Sequence, residues 1–134
     1  MSSTEVQTTP RWQSVALWIV KGLLAAIFFA AGGAKLYGVP MMVENFEHIG
    51  LGQWFRYVTG LLEVAGGIAI LLPSITAFGA LLLSCIMVGA VVTHVFIIGG
   101  SALPAIVLLL LTATIAFAHR GQIGAFFDPD GSRA

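Results

Sequence analysis

The chain has 134 residues, of which 58% are hydrophobic and 9% are charged, and its six basic residues balance its six acidic ones. A soluble domain carries about 25% charged residues, so this chain has too few charges to cover a water-facing surface. The zero net charge offers no basic surface, and no nucleic-acid partner is expected. The single cysteine, Cys85, excludes an internal disulfide and a CxxC redox pair, and we expect it to be a small buried residue.

Four apolar runs dominate the sequence and predict its fold. They cover about residues 15–36, 55–72, 76–98 and 103–118. Crossing a bilayer takes about 17–25 helical residues, and the first three runs reach this length, while the shorter fourth contains no charge. We predict an all-α integral membrane four-helix bundle that forms one domain over residues 15–118. Residues 1–14 and 119–134 are predicted to be tails.

The long connection between the first two runs predicts a short additional helix. The stretch "PMMVENFEHIG" begins with Pro40, which suits a first helical turn, and ends with Gly50, which suits a helix stop. Met42, Phe46 and Ile49 fall on one face of such a helix. We therefore expect an amphipathic helix that lies at the membrane interface.

The basic residues predict the orientation in the membrane. With four spans, both termini lie on one side, which carries four basic residues against two on the other: Arg11, Lys21, Arg120 and Arg133 against Lys35 and Arg56. Basic residues are enriched on the cytoplasmic side. We predict a multi-pass protein of the cell membrane, embedded in the lipid bilayer, with both termini in the cytoplasm.

The stretch "GLLEVAGG" places a glutamate, Glu63, in the second apolar run, about 13 Å into the helix and near the bilayer midplane. Gly60, Gly66 and Gly67 lie three or four residues away and make a stripe of small residues around it. Small residues allow close helix contacts in membranes. Gly32 occupies a similar position in the first helix, so we expect these glycines to pack helices together.

Three more ionisable residues fall in the same half of the bundle as Glu63. Lys35 ends the first helix, Arg56 begins the second, and His94 lies near the end of the third. An ionisable group inside a membrane is costly and is a candidate functional residue. Two roles fit this cluster: a structural Lys35–Glu63 pair between helices, or a ligand-binding site. No metal site is expected.

Several motifs together resemble the DoxX-like family of small bacterial membrane proteins. They are "AGGAK" at the end of the first helix, "GLLEVAGG" in the second and "AVVTH" in the third. The resemblance covers about residues 18–111 and implies a four-helix membrane protein. It also implies a link to membrane redox systems, either quinone-linked or directed against oxidative stress, in which related chains are accessory subunits.

Three functions are therefore weighed. The first is an accessory or assembly subunit of a membrane oxidoreductase, with redox-complex partners or a second copy of the chain as its contacts. The second is a small-molecule site, with quinone as the candidate ligand, built from Lys35, Glu63 and His94. The third is a structural scaffold. The sequence contains no recognisable catalytic motif, so we do not expect the chain to be an enzyme by itself.

Overall fold

The computed structural model describes residues 11–128 and residue 130, and these residues form helices joined by short turns, with no strand among them. The helices in chain order are α1 (Arg11–Tyr37), α2 (Pro40–Ile49), α3 (Gln53–Leu71), α4 (Thr76–Thr93), α5 (Leu103–Ala118) and α6 (Arg120–Phe127). A π-helical turn, His94–Ile98, continues α4. The prediction of an all-α helical membrane bundle is confirmed.

Three of the described helices are long and apolar enough to cross a membrane: α1, α3, and α4 with its π-helical turn. Helix α5 has 16 residues, and it makes a fourth candidate span only when it is taken together with α6. The two are bent by 55° at the break between them. Helix α1 has 27 residues and extends for about 40 Å, more than the thickness of the hydrocarbon core.

Helix α2 lies between the first and second long helices, as its sequence indicates. Pro40 stands at its start, where a missing backbone N–H costs nothing. Gly50 ends it with φ of 82°, and the Gly50 N–H donates to the carbonyl oxygen of Phe46. This left-handed conformation is one that glycine adopts without a steric penalty.

The ends of the chain differ from the expected tails. Helix α1 begins at Arg11 rather than near residue 15, and the segment expected to be a C-terminal tail contains α6. The Phe126 ring on α6 contacts the Phe78 ring on α4, with their centroids 5.6 Å apart. Residues 1–10, 129 and 131–134, including Arg133, lie outside the described residues.

The long helices pack in the order α1, α3, α4 and α5, and a smaller contact between α5 and α1 closes the bundle. The core between them is apolar; it contains Leu24, Ala25, Phe28, Ile70, Ala80, Leu83, Met87, Ala105 and Ile115. A polar contact crosses this core, from the Ser84 hydroxyl on α4 to the Thr112 hydroxyl on α5 at 2.9 Å. Such hydrogen bonds between helices are typical of membrane bundles.

The outer faces of the long helices are also apolar. Leu23 on α1 is 61% exposed and Leu110 on α5 is 62% exposed. Such side chains would be unfavourable in water and are favourable in lipid. Cys85 is exposed on α4, so the expectation that it is buried is wrong; a thiol tolerates a lipid-facing position because it is only weakly polar.

Candidate functional site

Helices α1 and α3 approach each other closely at two facing glycines. A Cβ atom on Gly32 would lie 2.8 Å from the backbone oxygen of Gly60, and one on Gly60 would lie 3.0 Å from the oxygen of Gly32. A larger side chain at either position would push the two backbones apart. The absence of side chains therefore brings the next polar residues of the two helices, Lys35 and Glu63, within reach of each other.

The other two glycines beside Glu63 make contacts with different neighbours. A Cβ atom on Gly66 would lie 2.6 Å from Leu83 on α4, and one on Gly67 would lie 2.8 Å from the Phe29 ring on α1. Helix α3 therefore uses glycines against both of its neighbours. This places Glu63 in the interior of the bundle, with 2% of its surface exposed.

Lys35 and Glu63 form an ion pair between α1 and α3. The Lys35 Nζ lies 2.9 Å from Oε1 and 3.1 Å from Oε2 of Glu63. The side chain of Lys35 is 13% exposed and that of Glu63 is 2% exposed. A buried carboxylate is costly unless it is paired, and the ammonium supplies the opposite charge to both oxygens. The pair fastens the two helices at the level of Glu63.

Arg56 extends this cluster toward the end of the bundle. Its Nη1 donates to the backbone oxygen of Lys35, and its Nε donates to Oε1 of Gln53 at 2.7 Å. The last carbonyl groups of a helix have no partner within it, so the guanidinium caps the C-terminal turn of α1. Gln53 in turn donates to the backbone oxygen of Val43 on α2, at 3.1 Å. Arg56 thus connects α1 with α3, and Gln53 connects α3 with α2.

His94 has a local partner of its own. Its Nδ1 lies 3.1 Å from the backbone oxygen of Gly99, and the Gly99 N–H donates to the backbone oxygen of His94. These contacts close the π-helical turn, which packs against α2. The structure brings Lys35, Arg56 and Glu63 together, while His94 makes its hydrogen bonds to Gly99, in the turn between α4 and α5.

A second group of polar residues, which includes Lys21, His119 and Gln122, lies at the other end of the bundle. Lys21 lies inside α1 rather than at its start, and it is 4% exposed. Gln122 on α6 accepts from the Ala77 N–H at 3.0 Å and donates to the backbone oxygen of Pro73. It therefore fastens α6 to the turn between α3 and α4.

The contacts of this cluster hold helices together. Both carboxylate oxygens of Glu63 contact Lys35, and the guanidinium of Arg56 is held by two acceptors. The side chain of Lys35 retains 13% exposure. Among the described residues, no three His, Cys, Asp or Glu side chains group as a metal site.

Apolar helices fastened by an ion pair within the bundle define a small helical membrane protein. Residues 19–117 match the model of the DoxX-like family, and the chain belongs to this family. Among curated proteins of Bacillus subtilis (strain 168), the chain is 40% identical over 76 residues to "Uncharacterized protein YdgD" and 27% identical over 75 residues to "Putative oxidoreductase CatD". No solved structure matches.

The two alignments cover only parts of the proteins compared. The match with YdgD spans 53% of this chain and 67% of the relative, and the match with CatD spans 56% of each. This chain therefore covers little more than half of CatD.

Proposed function

We propose that this DoxX-like protein is an accessory subunit of a membrane-associated oxidoreductase system and leaves the redox step to a partner. The proposal rests on the observation that the ionisable residues Lys35, Glu63 and Arg56 hold helices α1 and α3 together. Glu63 is fully engaged by Lys35, and Arg56 caps α1. These contacts support a role in which the bundle is a stable platform in the membrane.

The outer surface supports the same role. Exposed apolar side chains cover the long helices, for example Leu81 and Val88 on α4, and such a surface suits either lipid or the helices of a partner. The similarity to the relative named "Putative oxidoreductase CatD" motivates the choice of a redox partner. Helix packing in membranes depends on close van der Waals contact, which a rigid platform favours.

The test compares membranes from cells with and without the gene. Quinone-reductase and quinol-oxidase activities are measured in each, and the deletion strain is complemented with the wild-type chain. We expect one of these activities to fall in the deletion strain and to return on complementation. The purified chain alone should show no such activity. Unchanged activities in the deletion strain would count against the proposal.

A small-molecule role at the same cluster is a second candidate, favoured by the partial exposure of Lys35. The ammonium could donate to a quinone carbonyl, but a ligand would have to share it with both oxygens of Glu63. The comparison of wild type with Glu63→Gln in a quinone-binding titration separates the two candidates. Binding by the wild type that the variant loses favours the ligand site, and an absence of binding favours the platform.

A further inference from the structure

A polar recess of about 320 Å³ lies at the end of the bundle remote from the Lys35–Glu63 pair. Lys21, which lines it, precedes Lys35 by 14 residues in α1, so the two are about 21 Å apart along the helix axis. The recess is bordered by Trp18 on α1, Pro73 in the turn after α3, and His119 and Gln122 after α5. It is separate from the cluster described above.

Lys21 contributes a buried cation to this recess. Its side chain is 4% exposed, and its Nζ lies 4.9 Å from the centroid of the Trp18 ring. Within the described part of the chain, the residues that line the recess include no carboxylate, and Lys21 forms no ion pair. A buried charge is costly without an opposite charge, which indicates an anionic ligand.

His119 adds a second unsatisfied group. Its Nε2 is buried and has no hydrogen-bond partner among the described residues. Buried polar atoms without a partner are rare because each costs free energy. When Nε2 carries the proton, it can donate to an acceptor in the recess. The side-chain amide of Gln122 already makes hydrogen bonds to Ala77 and Pro73, so it lines the recess without supplying a free hydrogen-bonding group.

Pro73 lies in the turn between α3 and α4, and both helices are long and apolar enough to cross a membrane. A turn between two spanning helices lies at a membrane surface, so this side of the recess is within reach of lipid headgroups. His119 lies at the break between α5 and α6. The neighbouring surface of α1 is largely apolar and includes Trp12, Leu17 and Val20. Leu17 belongs both to this surface and to the lining of the recess.

We propose that the polar recess binds the phosphate group of an anionic phospholipid. Lys21 supplies the positive charge and His119 a hydrogen bond, while an acyl chain lies against the apolar surface of α1. The apolar surface directly beside the recess, which shares Leu17 with its lining, favours an amphiphile over free phosphate. This proposal stands apart from the accessory role, because it rests on different residues at the other end of the bundle.

The test measures lipid binding to the purified, delipidated full chain by native mass spectrometry. The probes are phosphatidylglycerol, phosphatidylcholine and inorganic phosphate, each titrated separately. The wild type should bind phosphatidylglycerol more tightly than phosphatidylcholine. Lys21→Met should weaken the binding of phosphatidylglycerol about tenfold, as expected for loss of one charged hydrogen bond, and His119→Phe should weaken it less.

The matched control is Arg120→Gln. Arg120 is an exposed cation at the same end, but its Nη1 donates to the backbone oxygen of Phe117 and it does not line the recess. This variant should bind phosphatidylglycerol as the wild type does. Thermal unfolding in detergent identifies the folded variants, and His119→Phe provides an independent test should Lys21→Met fail to fold.

Three results would overturn the proposal. The first is wild-type affinity for phosphatidylglycerol in a folded Lys21→Met or His119→Phe variant. The second is an equal loss of affinity in Arg120→Gln, which would indicate a general surface charge effect. The third is binding of inorganic phosphate that depends on Lys21 without any preference for phosphatidylglycerol, which would assign the recess to a free anion.

Discussion

Glu63 places both of its carboxylate oxygens against a single ammonium, that of Lys35, at 2.9 and 3.1 Å. The carboxylate is buried on α3 and the ammonium is nearly so on α1. Removing one of the two side chains leaves an unpaired charge in an apolar interior, while removing both leaves no charge. A comparison of the single with the double substitution therefore distinguishes a pair that stabilises the helix contact from two residues that are merely close.

We predict that Lys35→Met destabilises the bundle by about 3–5 kcal/mol, because breaking a buried pair leaves an uncompensated charge. The double variant Lys35→Met, Glu63→Met should recover most of this loss, since apolar side chains replace both charges. The free energy of unfolding is measured in mixed micelles with increasing SDS. A neutral effect of Lys35→Met alone would show that the pair does not fasten α1 to α3.

The facing glycines give a second prediction. Gly32→Ala should destabilise the bundle by about 1–3 kcal/mol, because the added Cβ would lie 2.8 Å from the backbone of Gly60. Gly33→Ala is the matched control: a Cβ there has no neighbour within 4 Å, and alanine favours the helix by about 1 kcal/mol over glycine. Equal stability of the two variants, measured in the same unfolding assay, would contradict the close approach.

The pairing of Lys35 with Glu63 could be predicted from the sequence because it depends on helical periodicity. Glycines three and four residues from Glu63 mark the face on which α3 meets its neighbours. Gly32 marks the face of α1 that meets α3. The role of Arg56 was not predictable in this way, because its acceptor is a backbone oxygen of Lys35. Nor was the role of His94 predictable, because its ring contacts the backbone oxygen of Gly99, the residue that follows the π-helical turn.

The other end of the bundle was the part that the sequence did not predict. The run that becomes α6 contains Arg120, Gly121 and Gly124, so it lacks the continuous apolar pattern of a helix. Its position depends on a contact between residues far apart in the chain, Gln122 and Ala77. Lys21 has the sequence context of an interfacial lysine, and only the packing around it shows that it is buried.

A substitution at Gln122 is predicted to affect the stability of α6 rather than that of the whole bundle. Gln122→Ala removes the acceptor for the Ala77 N–H and the donor to Pro73, and each lost hydrogen bond costs about 1 kcal/mol. We expect hydrogen exchange over residues 120–127 to speed up by about tenfold or more, while exchange in α3 is unchanged. Gln13→Ala, at an exposed position on α1, is the control. Protection of α6 equal to that of the wild type would show that the Phe78–Phe126 contact is sufficient to hold it.

The hydrogen bond between Ser84 and Thr112 gives the last prediction, since it crosses the contact between α4 and α5. Thr112→Val keeps the shape of the side chain and removes its hydroxyl, so we expect a loss of about 0.6 kcal/mol, the average for such bonds in a membrane bundle. Thr114→Val is the control, because the Thr114 hydroxyl is exposed and donates to Leu110 within its own helix. A double-variant cycle with Ser84→Ala isolates the coupling between the two hydroxyls. The same loss in Thr112→Val and Thr114→Val, with no coupling to Ser84, would mean that α4 and α5 are held by apolar packing alone.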